Sequence, residues 1–104
     1  MPPANMPVFR LSNLAKLDMI TIGRYTQANW GREQRNLYLQ QLDTAFHLLA
    51  RDPGRGQQCD DIRPGYRKYS IGRHVVFYRA TDAGVEIVRI LHDRMDLPTR
   101  LGGG

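Results

Sequence analysis

The apolar residues change their spacing once, at Asp52-Pro53-Gly54, and that change limits the folds open to this chain. Before it they recur every three or four residues, the period of a helix face. After it they come in short runs rich in Val, Ile, Phe and Tyr, as strands require. From Leu14 onward, Ala15, Met19, Ile22 and Thr26 share one face, with Tyr25 beside it. Ser12 or Asn13 can cap the start, and the helix is expected to stop near Trp30-Gly31, with Gly31 as the breaker. A second helix is expected from about Arg32 to about Arg51, on the stripe Tyr38, Leu39, Leu42, Ala45, Phe46 and Leu49. Proline cannot continue a helix and glycine accepts the turn, so residues 52–54 end it.

Val8-Phe9-Arg10-Leu11 reads as a short strand ahead of the helices, and residues 53–64 as a polar loop behind them. Three strands follow, at Tyr66–Ile71, His74–Ala80 and Val85–Leu91. Gly72-Arg73 forms a two-residue turn with glycine first, as a type II′ hairpin prefers, and residues 81–84 turn the chain again. The order β-α-α-β-β-β predicts an α+β fold, a helical hairpin packed on one face of a small, mainly antiparallel sheet, with the first strand joining at an edge. On the strand 74–80, Val75, Phe77 and Arg79 share one face, and His74, Val76, Tyr78 and Ala80 the other. The helices can cover only one of these, which leaves the second for a partner. Leu14, Leu17 and Ile20 fall off the first helix's stripe, so that helix is apolar over an arc too wide for a single neighbour.

A chain of 104 residues suits one domain. The expected boundaries are a flexible leader at 1–6, with Met6 a candidate start, a single domain over 7–101, and a glycine tail at 102–104. No apolar run approaches the roughly 18–20 residues that span a bilayer, and the N-terminus lacks the charged and apolar regions of a signal peptide. Cys59 is the only cysteine. Alone it builds neither an internal disulfide nor a cysteine zinc site. Together these features point to the cytoplasm, with no membrane association.

Catalytic chemistry finds little support. His47 lies mid-helix beside the core stripe as a half-exposed structural residue. His74 opens a strand after a tight turn and reads as an exposed surface residue. His92 ends the last strand beside Asp93-Arg94-Met95-Asp96, where a histidine either serves a site or bonds to backbone. No His-x-x-x-His pair or dense carboxylate cluster suggests a metal. The carboxylates of Asp60 and Asp61 would raise the Cys59 thiol pKa, against a nucleophile. Phosphate-loop spacings are missing. No catalytic residue, metal or cofactor is expected.

What remains is charge. Lys and Arg number 15 against 10 Asp and Glu, for a net charge of +5, and 13 of the 15 cations are Arg. Codon usage in a GC-rich genome is one reading of that bias; a surface that grips carboxylates or phosphates bidentately is the other. Between Ile62 and Thr81 there is no acidic residue, while Arg63, Arg67, Lys68, Arg73 and Arg79 interleave with Tyr66, Tyr69, Phe77 and Tyr78. Such a block could stack bases and pair phosphates or grip an acidic protein segment. It could equally be a solvated sheet face whose aromatics are core.

Several segments together resemble the ParE toxins of the RelE/ParE superfamily, across roughly Val8 to Leu101. They are Arg24-Tyr25-Thr26, Trp30-Gly31, the helix through Tyr38, Leu42 and Leu49, Ile62 to Arg67, Gly72 to Arg79, and Ile90 to Leu97. The closing Leu91-His92-Asp93-Arg94-Met95-Asp96 stretch is the most specific of them. The resemblance implies the same β-α-α-β-β-β fold and one of two activities. RelE-like members cut messenger RNA on the ribosome; ParE-like members poison DNA gyrase. Both are neutralised by an antitoxin, ParD-like for ParE. After Leu91 this sequence has no tyrosine, and only Lys68 remains of a lysine-rich central strand, both departures from RelE. The implied protein is therefore a cytoplasmic, non-enzymatic gyrase inhibitor that forms a hetero-oligomer with its antitoxin. It would meet DNA only through antitoxin or gyrase. Ribosome-dependent RNA cleavage and a non-toxic RNA- or protein-binding module are the alternatives. Target binding is expected at Arg67, Arg73, Arg79, His92, Arg94, Met95 and Asp96, and antitoxin binding at Leu14, Leu17, Ile20 and Tyr78.

Overall fold

Ser12 joins the first strand to the helices. In a computed structural model, which describes residues 7–94, β1 (Val8–Leu11) ends just before this residue. The Ser12 hydroxyl accepts from the Ala15 N–H at 3.0 Å, capping the helix, and donates to the Val88 carbonyl at 2.7 Å. One side chain thus closes an orphan helix donor and an orphan strand acceptor.

The helical segment α1 (Asn13–Arg51) is 39 residues long and is broken once, at Gly31, with φ +91° and ψ 171°. A straight helix of that length would run about 58 Å, yet the longest extent of the molecule is 38 Å. The chain doubles back at Gly31, whose missing Cβ permits the left-handed φ. The two arms, 13–30 and 32–51, then lie side by side. A Cβ on Gly23 would sit 3.4 Å from Leu39 Cδ1, and Arg35 donates to the side chain of Gln27. This is the helical hairpin expected from the sequence.

Behind it come a single 3-10 turn (Pro53–Arg55), β2 (Gln57–Gln58), β3 (Tyr66–Ile71), β4 (His74–Thr81) and β5 (Gly84–His92). The sheet order is β1-β5-β4-β3-β2, with β1 parallel to β5 and every other pair antiparallel. The first strand takes an edge, as expected. The 3-10 turn and β2 lie where a plain loop was expected. Two glutamines carry no strand signature, and β2 exists because β3 offers it an edge at Arg67 and Lys68.

The hairpin covers one face of the sheet. Ala15, Ile22, Leu42, Phe46, Leu49 and Ala50 pack on Val76, Tyr78, Val85, Ile87 and Ile90. Ile87 and Ile90 can share that face only because β5 is irregular. Ile87 pairs with Tyr78 and Arg89 with Phe77, so Val88 is an extra residue that bulges out of register. Beyond the reach of β1, the outer edge of β5 is closed by α1. Asp18 accepts from Ile90 N–H at 2.9 Å and holds Arg89 bidentately at 2.8 and 3.0 Å.

Two expectations are corrected here. The second sheet face was expected to await a partner, but at its centre it is covered by the chain itself. Cys59 and Ile62 from the 59–65 loop, together with Tyr66 of β3, pack on Val75, Phe77 and Leu91, and Phe77 is 0% exposed. Tyr78, expected in antitoxin binding, is also 0% exposed. It lies under the hairpin, donating to the Pro53 carbonyl at 2.7 Å and accepting from Gly56 N–H at 2.8 Å. It fastens the 3-10 turn to the core, so no second protein can reach it in the folded chain.

Candidate functional site

At the helix break, the Gly31 end of the hairpin, the 72–73 turn and the end of β5 enclose a cleft of about 410 Å³. Tyr25, Thr26, Trp30, Gln34 and Tyr38 line it from the helices; Gly72, Arg73 and His74 line it from the hairpin turn, and His92 and Arg94 from the end of β5 and the turn after it. The turn geometry brings these elements close. Gly72 has φ +55°, and a Cβ there would lie 2.8 Å from the Tyr38 ring and hydroxyl. Glycine serves the turn and lets Tyr38 lie against it.

The cleft floor is a chain of polar rings. The Tyr38 hydroxyl lies 2.6 Å from His74 Nδ1 and 3.3 Å from the Ile71 carbonyl. The hydroxyl donates its one proton to the Ile71 carbonyl, and both contacts are met when neutral His74 carries its hydrogen on Nδ1 and donates it to the phenol oxygen. Burial pushes the His74 pKa below 6.5, and neighbouring His92 lowers it further, against the opposing carboxylates of Asp93 and Asp18. His74 is therefore neutral at pH 7. Burial likewise raises the Tyr38 phenol above 10.0. His74 and His92 are cross-strand partners, edge to face at 5.5 Å. His92 Nδ1 lies 3.2 Å from the Arg94 N–H and 3.1 Å from Asp93 Oδ1. A bare Nδ1 accepts from the former, and a protonated one donates to the latter.

At the mouth, Tyr25 and Trp30 meet edge to face at 6.0 Å and are 59% and 63% exposed. Arg73 and Arg94 are exposed at the same rim. Among the described residues no carboxylate lies within 4.0 Å of either guanidinium.

Of the residues expected to bind a target, Arg73, His92 and Arg94 come together here; Met95 and Asp96 lie outside the described residues. Arg67 and Arg79 do not join them. Arg67 points to the helix side and donates to the Gly56 carbonyl at 2.8 Å. Arg79 lies on the opposite face at the far end of β4, 2.9 Å from Glu86, which also takes Arg10 at 2.9 Å. Their sequence proximity to Arg73 does not place them on its surface. His74, read as an exposed surface residue, is half-buried in the floor. Trp30, Tyr25 and Tyr38 were missed as cleft residues, although a lone tryptophan beside a helix-breaking glycine was a usable signal. Leu14, Leu17 and Ile20 are 48%, 58% and 49% exposed, an apolar strip on the outer side of the first arm. His47 packs edge-on against Phe9. The Cys59 thiol is buried and its pKa raised, chiefly by that burial. No group of three His, Cys, Asp or Glu that could hold a metal occurs among the described residues. No described helix is long and apolar enough to cross a membrane.

Comparison with known proteins gives a consistent answer. A family model described as the ParE toxin of the type II toxin–antitoxin system parDE matches residues 9–97. The chain is 41% identical over 97 residues to Toxin ParE1 of Caulobacter vibrioides, covering 93% of this chain and 100% of that protein. It is 43% identical over 94 residues to Toxin ParE1 of Mycobacterium tuberculosis, covering 89% and 96%. Its fold is similar to a solved structure titled as the chromosomal ParDE system of P. aeruginosa. There the TM-score is 0.72 at 18% identity, covering 85% of this chain and 97% of the other.

Proposed function

The chain belongs to the ParE toxin family of type II toxin–antitoxin systems, and from that premise we propose that it poisons DNA gyrase by binding and is neutralised by a ParD-like antitoxin. The observation that carries this reading is the convergence of Arg73, His92 and Arg94 on one cleft, with both arginines at its exposed rim. The guanidiniums there are free of carboxylate partners among the described residues, so they are available to phosphates or to acidic groups. Met95 and Asp96 would extend that surface beyond the described residues. The toxin acts by adhering, and none of its side chains makes or breaks a bond. It works in the cytoplasm as a single domain over 7–101.

The antitoxin would seat an amphipathic helix on Leu14, Leu17 and Ile20, whose exposure leaves apolar area to bury. Binding to the folded state alone also stabilises the toxin by mass action. Leu17→Asp should weaken antitoxin capture by tenfold or more while leaving toxicity intact.

One observation favours a second reading. Two histidines, a tyrosine and two arginines at one cleft are groups that could move protons at a phosphodiester. Ribosome-dependent RNA cleavage therefore stays as the alternative. Supercoiling by purified gyrase and messenger-RNA cleavage on translating ribosomes, each with and without the protein, separate the two. Loss of supercoiling with intact transcripts is expected; cut transcripts with undisturbed gyrase would reverse the assignment.

A further inference from the structure

We infer that the cleft at the helix break receives an unpaired DNA base, stacked on Trp30 and Tyr25, with Arg73 and Arg94 on its flanking phosphates. The inference takes the target-facing role of this surface from the proposed function and replaces the expectation of purely indirect DNA contact with a direct one.

Exposed aromatics carry the first part. A tryptophan 63% exposed beside a tyrosine 59% exposed leaves two large π faces in water at the entrance of a cleft. Neither ring belongs to the buried core. Successive bases stack on such rings regardless of sequence, because every base has a π face. The cleft volume of about 410 Å³ falls in the range of sites that enclose one small planar ligand. A base fits such a cleft only when out of its stack, as in single strands or at a break in a duplex.

Charge carries the second part. Arg73 and Arg94 stand on separate segments at the same rim, and among the described residues no Asp or Glu lines the cleft. Elsewhere the described arginines of the sheet are engaged: Arg10 and Arg79 by Glu86, Arg89 by Asp18, and Arg67 by a backbone carbonyl. Among the described residues the carboxylates nearest the site are engaged elsewhere: Asp93 faces His92 at 3.1 Å, and Asp18 holds Arg89. A planar apolar surface flanked by two cations that no described carboxylate pairs is complementary to a base between two phosphates. An acidic peptide would use the arginines and leave the rings in water.

Trp30 is the only tryptophan in the chain, so its fluorescence reports this cleft alone. The test titrates the full chain, without gyrase, with a short single-stranded oligodeoxynucleotide. The controls are the same strand in a duplex, an abasic strand of equal length, an RNA of the same sequence, and poly-glutamate. The single strand should quench Trp30, binding about tenfold tighter than the abasic strand, the loss expected from one stacked base. By labelled-oligonucleotide anisotropy, Trp30→Ala should weaken binding about tenfold and Trp30→Phe should restore most of it. Arg94→Ala should lower the slope of log affinity against log salt by about 0.7. Equal binding to the abasic strand or the duplex would overturn base recognition. Stronger binding of poly-glutamate would assign the cleft to an acidic protein instead, and stronger binding of RNA would overturn DNA as the ligand. Gyrase supercoiling, measured separately, tells the two proposals apart. If wild type binds the abasic strand as well as the intact one but still stalls gyrase, the base site fails and the toxin reading stands. If wild type binds the oligonucleotide but leaves gyrase untouched, the toxin reading fails alone.

Discussion

The strands β4 and β5 run side by side, and their two ends treat arginine in opposite ways. At the end near β1, Glu86 sits between Arg10 and Arg79, 2.9 Å from each. At the other end, Arg73 and Arg94 stand at a cleft rim with no carboxylate within 4.0 Å among the described residues. A sequence that is acid-free from Ile62 to Thr81 gives both ends the same arginine-rich look. Pairing separates them, because a neutralised guanidinium holds the fold and a free one is left for a partner.

The largest effect should come from the ion pair between the two ends. Asp18 holds Arg89 bidentately and caps Ile90 N–H, with both side chains mostly buried. Asp18→Ala would leave a charge and a donor unpaired at once, costing about 3 kcal/mol. For a domain of this size, thermal unfolding should then fall by about 10 °C or more. A shift below about 3 °C would show that Arg89 finds another partner and that pairing is not what divides the ends.

Next comes the free end. The double variant Arg73→Ala/Arg94→Ala should abolish growth inhibition while moving stability by no more than about 0.5 kcal/mol, the usual range for exposed side chains. Unchanged killing at unchanged stability would remove the cleft rim as the target surface. A large loss of stability would show that these arginines are structural after all.

The floor of the cleft titrates. Because the folded His74 pKa lies below 6.5, the unfolded chain binds more protons between the folded value and 6.5. Stability should therefore rise with pH through that window and fall on acidification. Tyr38→Phe removes the phenol oxygen that accepts from His74 Nδ1–H, a bond stronger to the charged ring, so the His74 pKa should fall further and the acid-side loss extend to lower pH. The cost at pH 7 should be about 1 kcal/mol. An NMR titration of the histidine ring protons reads this directly, and an unmoved His74 would mean the hydroxyl does not set its proton.

Much of the frame was legible in the sequence because each signal was local. The period change at residues 52–54, the break at Gly31 and the glycine-first turn at residue 72 needed only their neighbours to be read. The cleft required knowledge of register. Counting outward from Thr81 opposite Gly84 pairs His74 with Leu91, and only the extra residue at Val88 moves His92 into that place. No property of Val88 announces a bulge; it forms because Ile87 and Ile90 both gain by facing the hairpin. Tyr78 misled for a related reason. Its aromatic ring and basic neighbours look like a binding surface, and only the folded 3-10 turn shows that its hydroxyl is used at Pro53 and Gly56.

The paired end should answer weakly, and that weakness is the sharpest check on the contrast. Arg10 and Arg79 side chains are 77% and 46% exposed, against 15% for Glu86. Water screens such pairs, so Arg79→Ala should cost no more than about 1 kcal/mol, and toxicity should persist. The hydrogen bond from Arg10, then that from Arg79, holds the Glu86 carboxyl below its ordinary 4.5. A depressed carboxylate contributes stability above 4.5 and loses it as pH falls through the folded value. The urea midpoints of wild type and Glu86→Gln should therefore differ slightly at neutral pH and converge in acid. Should Arg79→Ala instead silence the toxin at full stability, the target surface would extend over both ends of the strands. Free and paired arginines would then no longer mark function and scaffold.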